Sequence, residues 1–304
     1  VGIFDFLRKR DDGAVHGAPL VSPPDAANGS GAARGGTGAP RDERRVVGVA
    51  LAARPERPGD LHDLAALNLP AGRVVRPDGD PEAAPVAWVT EDVADHVELW
   101  ARLVRAFPET GLWPVIASGM EGQLRRPWFD GELGGPEQPA PDVEGVLRQR
   151  IEDTAELQQD YGVPEPEEAW KSEWAGLAPG GVVASSVELR CPAEPFGLAL
   201  VPTMRPADVP AAIGWWGPTN HDLGGGELSA VLRSWEGRFG AVLTSLGFDT
   251  LELAVASPPA DDHAANLLAR EHYAVCPDNI DQGAGDIETY VAMVASPEWY
   301  FWWD

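Results

Sequence analysis

The sequence predicts an α/β or α+β fold, a mixed sheet flanked by helices, behind a disordered N-terminal arm. Three observations carry this. Short apolar runs alternate with segments of helical period from residue 46 onward. The chain closes on an aromatic run, Trp299-Tyr300-Phe301-Trp302-Trp303. Residues 11–42 are rich in Gly, Ala, Pro and Ser and lack any apolar period that could repay ordering entropy.

Residues 1–44 therefore read as a flexible arm with coil-like reach. Its first ten residues join a short apolar stretch to Arg8-Lys9-Arg10, too short for a stable isolated helix. Order should begin near Arg45, with an N-terminal α/β region over 45–190 and a C-terminal domain over 196–304. Val46 to Leu51 is a candidate buried strand. Leu61 to Leu67 reads as a short helix capped by Asp60, and Pro85 to Val89 as a strand. Thr90 should cap a helix with Glu91 and Asp92 in its first turn. Val93, Val97, Trp100, Val104 and Phe107 recur at helical spacing, and Pro108 should stop the run. Leu112 to Ala117 is a further strand, completing a strand–helix–strand unit that fits a right-handed crossover.

Residues 118–141 read as a loop. Within it Arg125-Arg126-Pro127-Trp128-Phe129-Asp130 sets aromatics beside cations, able to form a binding lip or to pin the loop to the body. Asp142 should cap a helix through Leu157. Glu165 to Trp174 suggests another, with Trp170 and Trp174 on one face. Val182 to Leu189 and Gly197 to Val201 are strands, and Pro206 to Ile213 is a short helix. Trp215 to Gly226, including Trp216, is a glycine-rich loop. Leu228, Val231, Leu232, Trp235 and Phe239 mark an amphipathic helix. Leu251, Leu253 and Val255 alternate as a half-buried strand. Helices should follow from Asp261 to Val275 and from Asp286. The terminal aromatic run is placed inside the sheet, because both its faces are apolar.

The chain has 304 residues, with 23 Lys+Arg against 48 Asp+Glu, a formal charge of −25. Residues 1–45 carry seven basic and six acidic side chains, so residues 46–304 carry −26. That balance argues against nucleic acid, whose phosphates require cations, and against an anionic membrane surface. No apolar stretch reaches spanning length and no signal peptide is visible, so a cytoplasmic location is expected. Two distant cysteines, Cys191 and Cys276, read as free thiols of a reducing compartment. Twelve tryptophans read chiefly as core.

Tyr273, Cys276-Pro277-Asp278, Asp281-Gln282-Gly283 and the closing Trp299-Tyr300-Phe301-Trp302-Trp303-Asp304 carry a resemblance. From about Phe196 the chain resembles the bacterial family called domain of unknown function 4253, whose segment reads C-P-D-x-x-D-Q-G and closes on W-Y-F-W-W-D. The unit ending in Gly111-Leu112-Trp113-Pro114 is similar to the amino-terminal half of longer members. His272 departs from the family pattern, where glutamine is usual. The resemblance implies no activity; small acidic bacterial immunity proteins offer an analogy only.

The most polar knot is His272, Cys276, Asp278, Asp281 and Gln282. These residues could supply N, S and O ligands to zinc, or Cys276 could act as a nucleophile. Against both stands the helix C-terminus, whose negative dipole end raises a thiol pKa. The plainer reading has Asp278 and Asp281 capping the turn and the next helix, with Gly283 at positive φ. His221 lies in the glycine-rich loop, where Gly224-Gly225-Gly226 lacks the Lys-Ser/Thr of a P-loop and reads as mobile. No HExxH, paired CxxC, GxSxG or GxGxxG is present.

The function expected is thus a non-catalytic module binding a basic protein partner, immunity-like in one form, with no cofactor and no membrane insertion. The candidate binding residues are Cys276, Asp278, Asp281, Gln282, His221, Trp215 and Trp216. The alternatives are a metal-dependent or cysteine-based enzyme around Cys276–Gln282, or a regulatory module tethered by the arm.

Overall fold

A computed structural model describes residues 46–91, 96–120, 123–130, 132–161, 166–191 and 196–304. The readings of the arm, of the helix start at 92–95 and of Glu165 lie outside the described residues. The described residues form one compact unit.

The main sheet has seven strands: β2 (Arg73–Val75), β3 (Ala87–Thr90), β4 (Leu112–Ala117), β6 (Gly197–Pro202), β7 (Ala241–Leu246), β8 (Thr250–Val255) and β9 (Glu298–Trp302). Their order is β2-β3-β6-β4-β7-β8-β9, and every adjacent pair is antiparallel except β4 with β7. This is the mixed sheet the sequence predicts. β6 lies between β3 and β4, so the sheet crosses the boundary expected near residue 196. The unit β3–α1–β4, where α1 is His96–Thr110, is a split crossover: its two strands run the same way with an antiparallel strand between them.

The central strands are apolar runs buried on both faces. β3, β4 and β7 are buried throughout. α1 packs on β4 through Trp100, Leu103, Val104 and Phe107. It runs past Pro108 to Thr110, because a proline in the last turn leaves only one carbonyl without its usual donor. Gly111, at φ 64°, then ends it with its N–H on the Phe107 carbonyl. α2 (Val143–Tyr161) starts where Asp142 accepts from Gly145 N at 3.0 Å. α3 (Val209–Ile213) is a single turn ended by Gly214. α4 (Gly225–Phe239) packs on β7, and α5 (Asp262–Val275) packs against α2 and α6 (Ile287–Val294). Asp261 and Asp286 cap α5 and α6 through Ala264 N and Thr289 N.

Several elements differ from expectation. β1 (Val46–Ala50) is not a buried sheet strand. It pairs only with β5 (Ser186–Arg190), in a two-stranded ribbon that buries Val47 alone of its five residues. Residues 61–67 form only a 3-10 turn, Ala65–Leu67, and Asp60 accepts from His62 N in a local turn. The expected helix at 165–174 is a 3-10 stretch, Pro166–Ser172. β7 went unread, because Thr244 and Ser245 break its apolar run. The triglycine is not a mobile loop: Gly224 precedes α4, and Gly225 and Gly226 are buried in its first turn. A Cβ on either would stand 2.5 Å from a backbone oxygen, of Pro210 and of Gln138 respectively.

β9 is the sheet edge and not an interior strand. Its aromatics alternate: Trp299 and Phe301 face the core, whereas Tyr300 is 53% exposed. Eight of the twelve tryptophans are buried. Trp235 stacks on Phe301 at 5.3 Å, and His272 lies edge-on to Trp299 and Phe301 at 4.7 and 4.8 Å. No helix among the described residues is long and apolar enough to cross a membrane.

Candidate functional site

α5 ends at Val275 with Cys276 as its C-terminal cap, and the following turn carries Asp278 to Gln282 against the free edge of β9. The Cys276 thiol donates to the Trp302 carbonyl at 2.9 Å. Asn279 donates to the Tyr300 carbonyl at 2.7 Å and accepts from Trp302 N at 3.2 Å. Asp304 N donates to Asp278 Oδ2 at 2.9 Å, and the Trp303 indole donates to the Val275 carbonyl at 2.9 Å. The two motifs that carry the resemblance therefore meet in space and fasten to each other.

The remaining bonds of the knot also stay within the fold. Asp278 joins His221 Nε2 at 2.8 Å and accepts from Gln282 Nε2 at 2.8 Å. Asp281 accepts from Lys171 Nζ at 2.8 Å and from the Tyr273 hydroxyl at 3.0 Å. Neither aspartate caps the next helix; that role falls to Asp286. The positive φ lies at Gly285, 84°, and not at Gly283. Burial pushes the Cys276 thiol up to about 12, away from the thiolate that nucleophilic or metal chemistry requires.

His272 sits one turn before Cys276, fully buried. Its Nδ1 lies 3.2 Å from the Tyr290 hydroxyl, and its Nε2 has no partner. Burial, with Arg238 adding to it, lowers its pKa to about 3. Arg238 is held in turn by Glu271, fully buried, at 2.7 and 2.6 Å. The imidazole, Cys276, Asp278 and Asp281 thus take separate partners, and among the described residues no three of His, Cys, Asp and Glu converge to hold a metal ion.

Trp215 is core: its indole donates to the Gly247 carbonyl at 3.0 Å, and its ring meets Trp303 edge-on at 5.5 Å. Trp216 is 45% exposed and packs beside Gly134. At the α4 N-terminus Gly226 N donates to Glu137 at 2.6 Å, so a carboxylate of the chain fills the place an anion would take.

Two features escaped the sequence. On the outer face of β8 and β9, Glu252 stands opposite Tyr300 and Thr250 opposite Trp302, with Asp249 and Asp304 beside them. Burial, the Asp304 charge adding to it, raises the Asp249 carboxyl. Elsewhere a cleft of about 680 Å³ opens at the carboxyl ends of β3 and β4, with Glu91, Ser118 and Phe129 among its lining residues. Cross-strand register and loop closure create both; the run at 125–130 marked one wall of the cleft, but no local spacing announces Arg73, Glu91 or Phe196 opposite it.

No curated protein and no solved structure matches the chain. Residues 197–304, its C-terminal third, match the model of the family described as Domain of unknown function (DUF4253).

Proposed function

We propose that the protein is a non-catalytic module that captures a basic protein partner, acting in the cytoplasm. The observation that carries this reading is the outer face of β8 and β9. There an exposed Tyr300 and a half-buried Trp302 are flanked by Glu252, Asp249 and Asp304. Aromatic rings beside carboxylates suit Lys and Arg side chains, which take both cation–π and ionic contacts. The −26 carried by residues 46–304 adds long-range attraction for such a partner. The polar groups of the C-P-D-x-x-D-Q-G motif make their bonds inside the fold, in keeping with a scaffold role. Immunity-like capture of a basic toxin is one form of this activity.

Co-purification from the native host at low and at high salt, followed by mass spectrometry, tests it. A stoichiometric basic protein should be retained at low salt, released by salt, and lost with Glu252→Gln combined with Tyr300→Ser. Absence of any stoichiometric partner at low salt, or capture indifferent to the double variant, overturns the reading.

A further inference from the structure

The aromatic and basic run after β4 divides its side chains between the body and a cleft. Trp128 pins the loop: it is fully buried, and its indole donates to the Ser118 carbonyl at 2.9 Å. Phe129 faces the other way, into the cleft at the carboxyl ends of β3 and β4. Arg73, at the start of β2, lies over its ring with the guanidinium carbon 3.5 Å from the centroid. Phe196, held edge-on by His96 at 4.8 Å, and Leu124 add apolar wall, and Ser118, Gln123 and Arg125 add polar groups.

Arg125 is tied to Asp130 and Arg126 to Glu132, but among the described residues no carboxylate lies within ion-pair distance of Arg73. The guanidinium rests on the Phe129 ring, and among the described residues its N–H groups have no hydrogen-bond partner. Ligand clefts combine apolar wall with a few convergent polar groups, as this lining does. We propose that this cleft binds a small organic carboxylate, with Arg73 taking the carboxylate through its fork and Phe129 and Phe196 contacting the apolar part. Glu91 in the same lining disfavours a doubly charged phosphate more than a singly charged carboxylate. The site is separate from the β8–β9 face and independent of partner capture.

Titration of the full ¹⁵N-labelled chain with benzoate, benzamide and inorganic phosphate tests the proposal by NMR. Benzoate should shift the amides of Ser118, Gln123 and Phe129 and the side-chain Nε–H of Arg73. Benzamide and phosphate should bind at least about tenfold more weakly, since each lacks half of the recognition. Arg73→Gln, at an exposed position, should weaken benzoate by about tenfold or more and leave distant resonances in place. No shifts with benzoate at millimolar concentration, equal binding of benzamide or phosphate, or benzoate affinity unchanged in Arg73→Gln overturns it.

Discussion

Asn279 pairs with Trp302 as a neighbouring strand would. Its Oδ1 accepts the Trp302 N–H at 3.2 Å, while its Nδ2 donates to the Tyr300 carbonyl at 2.7 Å and to the Tyr290 hydroxyl at 2.9 Å. One side-chain amide thereby occupies the outward donor and acceptor of an edge strand, the groups by which exposed edges recruit other chains.

Asn279→Ala should leave the Trp302 N–H and the Tyr300 carbonyl without these partners. The expected loss is about 2 kcal/mol, because water reaches part of the edge and recovers some of the bonding. Urea unfolding measures it. The bared edge should also favour self-association, visible as concentration-dependent sedimentation. A stability within error of the native chain would show that Asn279 is incidental to the edge.

The second prediction concerns acid. His272 folds with a pKa of about 3, well below the ordinary 6.5, through burial first and Arg238 second. The unfolded chain therefore binds a proton at this site that the folded chain refuses. The contribution is complete above about pH 6.5 and is lost as pH falls toward 3, at up to about 1.4 kcal/mol per pH unit. Between pH 7 and pH 5 the native chain should lose about 2 kcal/mol relative to His272→Gln, which carries the residue usual in the family pattern. Urea midpoints of both proteins at the two pH values give the difference, and the carboxylates common to both cancel. Parallel pH dependence in the two proteins would contradict the buried neutral imidazole.

The third concerns the thiols. Cys276 is fully buried with its pKa raised to about 12 by that burial, and Cys191 is 1% exposed. Neither should react with an aromatic disulfide reagent in the native protein at neutral pH, whereas both should titrate in denaturant. Rapid modification of Cys276 in the native state would reopen the nucleophile reading.

Local chemistry made much of this protein legible in its sequence. The carboxylates at 142, 261 and 286 announced their helices, because a cap needs only its own first turn. The spacing of Trp100, Val104 and Phe107, and of Leu228, Val231 and Trp235, gave two helices their buried faces, because an amphipathic period is written within one segment. Tertiary structure decided the rest. β7 hid because its polar Thr244 and Ser245 are buried by neighbouring strands, which no window of sequence contains. β9 read as interior from its aromatics, yet its outer side is met by one asparagine and one thiol from the turn after α5. In the run at 125–130 Trp128 pins the loop to the body, and only the fold sets Arg73, some fifty residues earlier, over Phe129. Helix periods and caps are properties of neighbours along the chain. Strand order, edge closure and the pairing of Arg73 with Phe129 depend on which distant segments share space, and only packing sets that.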